Sequence, residues 1–160
     1  MLAPNKPPIH VPILIYPIFL QKKIVGRILA LDFGKVRTGI AVTDELQLIA
    51  SGLTTVETKN LLPFLQAYAA DEKIVKIIVG EPRNTDGSPS ESEPLIRAFL
   101  PKLERALPSI PIERQDERFT SRIAVKSMIE SGLKKKKRRD KALIDEISAT
   151  LILQAYLNRM

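Results

Sequence analysis

Hydrophobic and polar positions fall into short, regular blocks from Arg27 onward. Residues 28–32 form an apolar run that ends in an acid. Residues 38–43 give a second short strand and residues 48–56 a third. The links between these three are short enough for antiparallel pairing. Asn60 is placed to cap a helix that runs through Asp71. Residues 74–79 are an apolar run of the kind buried parallel strands show. A turn-rich segment at 81–89 follows, then a helix at about 90–107 and a strand at 112–115. Helices at about 120–131 and 141–158 finish the chain. There is no internal repeat. Three strands followed by alternating helix and strand predict a mixed five-stranded sheet with helices on its faces.

Residues 1–26 do not share this pattern and are expected to form an extension outside the fold. Pro12 and Pro17 break the apolar stretch at 9–20, which is also too short for a membrane span. A secretory signal needs a basic start, a longer apolar run and a small-residue cleavage site. Lys6 alone, with Gln21-Lys22-Lys23 at the far end, fits that poorly. Val25-Gly26-Arg27 reads as an alternative start.

The 160 residues suffice for one domain with a real core and are too few for two. The absence of cysteine excludes disulfides, thiolate catalysis and zinc sites built on sulfur, and fits a reducing, cytoplasmic setting. The single histidine, His10, lies in the proline-rich leader, which argues against a Ser-His-Asp triad or a histidine-rich metal site. Net charge is +7, and residues 134–141 hold seven basic residues and one acid. Outside that run 18 basic residues face 17 acidic ones, so the excess charge sits in one short stretch. Such a run suits a polyanionic partner, or else is a solvated loop.

Three acids carry candidate chemistry. Asp32 ends the first strand and opens Asp32-Phe33-Gly34-Lys35-Val36-Arg37-Thr38-Gly39. A carboxylate at a strand end beside glycines fits a metal ligand, or a turn residue in a tight hairpin. Asp116-Glu117-Arg118 follows the last strand, before a helix that begins near Thr120. This triplet fits a metal ligand with a phosphate clamp, or a helix-capping acid with a surface ion pair. Asp145 is the most informative: at 100° per residue it aligns with Ala149, Ile152 and Tyr156 on an apolar helix face. An unpaired charge there is costly to bury, unless Asp145 stays near the helix start, where solvent and the dipole accommodate it. Together the three acids suit hard oxygen ligation of Mg²⁺ or Mn²⁺ for phosphodiester cleavage.

Four blocks in order resemble the YqgF (RuvX) group of bacterial RNase H-fold proteins. They are Leu31-Asp32-Phe33-Gly34 with Arg37, Gly39 and Ala41; Val79-Gly80-Glu81-Pro82 with Gly87; Asp116-Glu117-Arg118 with Thr120; and Lys141 with Asp145, Ala149, Ile152, Leu153 and Tyr156. The resemblance spans Arg27 to about Tyr156. It implies an RNase H-like α/β fold and a metal-dependent nuclease that acts in 5′-end processing of pre-16S ribosomal RNA, or as a Holliday junction resolvase. It further implies that Asp32, Glu117 and Asp145 hold the metal, while Arg37, Arg118, Thr120 and Lys141 face the substrate. Asp116 remains the alternative to Glu117, and Glu81 stands where an extra ligand or a turn residue fits equally. The implied partner is nucleic acid, either precursor rRNA or branched DNA, bound by a monomer or a homodimer with no membrane association.

Two other functions fit parts of the sequence. An ATPase of the actin and sugar-kinase type also has Asp-x-Gly near a first hairpin, but closes two such domains over its nucleotide. A nucleic-acid-binding module without catalysis explains the basic run and makes the three acids dispensable.

Overall fold

The structure is a computed structural model that describes residues 25–84, 86–117 and 120–160, the side chains of Thr120, Ser121 and Arg138 excepted. The expected extension at 1–26 therefore lies outside the described residues except at its end. There Gly26 is tied down, its N–H donating to the Glu45 carbonyl and its own carbonyl accepting from Gln47 Nε2.

Five strands build one sheet: β1 (Arg27–Phe33), β2 (Arg37–Thr43), β3 (Ala50–Glu57), β4 (Ile74–Glu81) and β5 (Ile112–Asp116). Their lateral order is β3-β2-β1-β4-β5. The first three pair antiparallel, while β4 runs parallel to β1 and β5 parallel to β4. The mixed α/β sheet expected from the sequence is thus the sheet observed. Helices α1 (Leu61–Asp71), α2 (Glu93–Ala106), α3 (Thr120–Glu130) and α4 (Lys141–Asn158) complete the fold.

Strand alternation divides the core in two. Leu29, Leu31 and Phe33 of β1 pack with Leu61 and Leu65 of α1 and with Ile96, Phe99 and Leu103 of α2. Ile28 and Ala30, on the other face, pack with Ala149, Ile152, Leu153 and Tyr156 of α4. Because β-strand side chains alternate, Asp32 continues the row of Ile28 and Ala30 and faces α4. Asp140 fixes where α4 begins: its side chain accepts from the backbone N–H groups of Ala142 at 3.0 Å and Leu143 at 3.4 Å.

Three local features differ from the sequence expectation, besides shifts of one to three residues at other element ends. Asn60 sits at the N-cap of α1 but makes no side-chain capping bond, because a 3-10 turn at Thr58–Asn60 leads directly into the helix. β3 starts at Ala50, not at residue 48. The Asp44 carboxylate accepts from the N–H groups of Leu46, Leu48 and Ile49 and holds them in a loop. β4 continues past Val79 to Glu81, which carries it to the same level as the end of β5.

Candidate active site

The carboxyl ends of β1, β4 and β5 lie side by side and meet the first turns of α4. Asp32 pairs across to Gly39 of β2, and its neighbour Leu31 pairs with Val79, so Gly80 flanks Asp32 on the other side. These two glycines leave the sheet bare where other groups come closest. A Cβ on Gly39 would collide with the Asp145 carbonyl, so the main chain of α4 rests directly on β2 there. A Cβ on Gly80 would lie 2.7–2.8 Å from the Glu117 carboxyl atoms. Gly39 therefore admits a helix, and Gly80 admits an acid.

Glu117 immediately follows β5 and is only 7% exposed. Its carboxyl donates a hydrogen bond to Asp32, which requires a proton on the pair. Burial pushes Glu117 up to about 9, reinforced by the charge of Asp32 and that hydrogen bond. Half-buried Asp32 is pushed up to about 7, first by loss of water and then by the charge of Asp145. Two acids that share one proton behave as a unit, and the unit titrates far above ordinary carboxylates.

Asp145 stands across from this pair. Its carboxylate accepts from Arg37 Nε of β2 at 3.1 Å, with the arginine and aspartate side chains 35% and 25% exposed. Burial raises the Asp145 pKa; Arg37 and, more weakly, Lys141 oppose the shift. Asp145 is the fifth residue of α4, one turn in, so it does not escape into the solvent beyond the helix start.

Asp32 and Glu117 are therefore in contact, and Asp145 is near enough for its charge to act on Asp32. Among the described residues no three acids form a cluster closed around one point, and Asp145 is held by Arg37. The donor set still fits a hard divalent cation. Two carboxylates in contact, forced to keep a proton in the absence of a countercharge, are what such an ion replaces.

The remaining expected residues sort as follows. Asp116 is the last residue of β5, paired in the sheet with Glu81, and its charge raises the Glu117 pKa; Glu117, not Asp116, contacts Asp32. Glu81 is bound to Arg83 at 2.8 Å and alternates onto the opposite face from Gly80. Lys141 opens α4 and is exposed. Arg118 lies outside the described residues, as does the side chain of Thr120, whose backbone begins α3.

Sequence reading missed Arg114 on β5. Its guanidinium grips Glu93, 4% exposed at the start of α2, at 2.7 and 3.1 Å. It also donates to the carbonyls of Val79 and Gly80, and its charge lowers the Glu117 pKa against the other causes. Thus one arginine ties the end of β4, the start of α2 and the electrostatics of Glu117 together. The partners lie 21 residues apart, a separation at which no local pattern signals the pair.

A mixed sheet with this strand order, ending in a proton-sharing acid pair faced by a third acid, defines an RNase H-like protein of the nuclease type. The family model described as Holliday junction resolvase, RuvX, matches residues 26–159, and the chain belongs to that family. A relative from Christiangramia forsetii is 60% identical over 133 residues, covering 83% of this chain and 98% of its own length. Relatives from Porphyromonas gingivalis (54%; 84% and 97%) and Bacteroides thetaiotaomicron (53%; 83% and 96%) are similarly full-length. All three are named "Putative pre-16S rRNA nuclease".

Proposed function

We propose that this protein is a metal-dependent endonuclease that hydrolyses phosphodiester bonds in the 5′-end processing of pre-16S rRNA. The observation that carries the reading is the Asp32–Glu117 pair, in contact over Gly80, held protonated chiefly by loss of water and faced by Asp145. The names of the full-length relatives supply the substrate. Residues 27–160 make up the nuclease domain and residues 1–26 lie outside it. A precursor rRNA substrate supports a cytoplasmic location. Among the described residues no helix is long and apolar enough to cross a membrane.

Asp32, Glu117 and Asp145 would hold Mg²⁺ or Mn²⁺, which when bound activates water and offsets charge on the leaving oxygen. The chain's own residues would supply the remaining roles. Asp32 and Glu117 would release their shared proton to solvent and serve as anionic ligands. Asp145 would complete the ligand set, and Arg37, which holds it at 3.1 Å, would face a substrate phosphate. Lys141, Arg118 and Thr120 supply further phosphate contacts beside it. Arg114 acts on Glu117 through its charge while it holds the Gly80 carbonyl.

The test is incubation of the protein with Mg²⁺ or Mn²⁺ and a panel of 5′-extended 16S precursor RNA, single-stranded RNA and four-way DNA junctions. Cleavage of the precursor in preference to the others is expected. The family's description favours the junction as the competing substrate. Symmetric nicking of the junction, which needs a homodimer, with the precursor left intact would replace the RNA reading by junction resolution.

A further inference from the structure

On the opposite face of the sheet from Asp32, a groove of about 430 Å³ opens beside the β1–β2 turn. Its floor is Phe33, Phe99 and Leu95, and its rim carries Lys35, Lys59 and Lys102. The rings of Phe33 and Phe99 lie 4.8 Å apart at 36° and are themselves buried, at 7% and 9% exposed, while Leu95 is 42% exposed and carries the groove's open apolar surface. Lys59 is paired with Glu57 at 2.7 Å, but Lys35 and Lys102 make no ion pair with any described residue. The wall that carries Lys35 and Lys59 is fixed. Thr58 donates its N–H to the Val36 carbonyl at 2.9 Å and its hydroxyl to the Gly34 carbonyl at 2.6 Å.

We propose that this groove is a subsite for one nucleotide in the unpaired flank of the RNA strand being cut. An open apolar floor beside cations without acid partners matches a ligand with a flat apolar ring at one end and a phosphate at the other. The groove also adjoins the reaction centre across the end of β1. Phe33 directly follows Asp32, so the two sites share the carboxyl end of β1 and are separated only by the thickness of the sheet edge. The base rests on Leu95, and the flanking phosphates lie against Lys35 and Lys102. The proposal rests on the nuclease reading and extends it to how the strand is held.

The protein has no tryptophan, so Leu95→Trp places a sole indole reporter in the groove. The probe is a single-stranded RNA decamer titrated in chelator, with overall binding followed independently by anisotropy of a label on the RNA. Saturable quenching of Leu95→Trp is expected at the concentration at which anisotropy rises. Leu48→Trp, on the exposed hairpin at the far end of the sheet, should stay unquenched. A Lys35→Glu/Lys102→Glu variant with an unchanged melting temperature should bind the RNA at least about tenfold more weakly. Its salt slope should flatten by about 1.4, at roughly 0.7 per phosphate contact on a single strand. If RNA binds by anisotropy while Leu95→Trp stays bright, or the double variant keeps its Kd and slope, the subsite is overturned and the nuclease reading stands. If the wild type neither binds the decamer nor cleaves any RNA with Mn²⁺, the nuclease reading falls and the subsite with it.

Discussion

At Glu117 and Asp32 the folded chain raises both carboxyl pKa values above those of the unfolded chain, near 4. A raised pKa means that the protonated pair stabilises the fold. That contribution is complete below about pH 4 and disappears as pH rises through about 7 and about 9. The depressed carboxylates, Asp44, Glu57, Asp86, Glu93 and Glu113, titrate below this window and do not mask it. Metal-free wild type should therefore lose melting temperature between pH 6 and pH 9, and Glu117→Gln should remove most of that slope. A wild-type melting temperature that stays flat or rises across the window would show that the pair is not buried together. Asp145 follows the same logic. Burial disfavours its charge more than Arg37 favours it, so Asp145→Asn should be neutral or slightly stabilising in chelator. With millimolar Mn²⁺ the order should reverse, because only the wild type retains the third anionic ligand. Thermal melts of both proteins with and without metal decide this, and a strong loss in chelator would make Asp145 a structural residue instead.

Among the elements, the two glycines beside Asp32 separate stability from activity. A methyl on Gly39 meets the main chain of α4 at Asp145, which cannot move without lifting the helix off the sheet. Gly39→Ala should cost about 1–3 kcal/mol, as overpacked cores do, and also displace Asp145. A methyl on Gly80 meets only the end of the Glu117 side chain, which can swing aside. Gly80→Ala should therefore leave the melting temperature nearly unchanged while abolishing cleavage. Equal effects of the two substitutions on stability would contradict this placement of Glu117. The elements themselves are largely legible, since alternation in β1 and the apolar face of α4 are read directly from residue order. The pattern places α4 at 141–158, where the helix is found. The capping role expected of Asn60 fails because capping depends on how the chain enters a helix, and a 3-10 turn leaves no N–H for its side chain. Asp140, the acid inside the basic run, caps α4, a role hidden by the charges around it. Of the site, Asp32 and Asp145 carry local signals, whereas preference for Glu117 over Asp116 rests on family resemblance. Arg114 carries no signal, because its partner Glu93 belongs to another element.

Over the whole molecule, charge is as unevenly placed as the sequence suggests. Residues 134–137 and 139 are exposed, between the end of α3 and the start of α4 and thus on the site's side of the sheet. Replacing Lys134, Lys135, Lys136 and Lys137 with Gln should weaken RNA binding for all sequences alike. The salt dependence should flatten by roughly 0.7 for every phosphate that is no longer neutralised. An unchanged slope would make the run a solvated loop. A chain that begins at Val25 should keep its melting temperature and cleavage, since Gly26 is already tied to Glu45 and Gln47 at the sheet's edge. A large loss of either would place the leader in the core. The most direct test of the account is cleavage of 5′-extended 16S precursor RNA in Mn²⁺ by wild type and Asp32→Asn, compared at matched melting temperature. The amide preserves the shape beside Glu117 but cannot supply the anionic ligand. The account predicts cut precursor with the wild type and a loss of at least about 10²-fold with Asp32→Asn, the scale of removing one positioned group. A well-folded Asp32→Asn protein that cuts at the wild-type rate would contradict it.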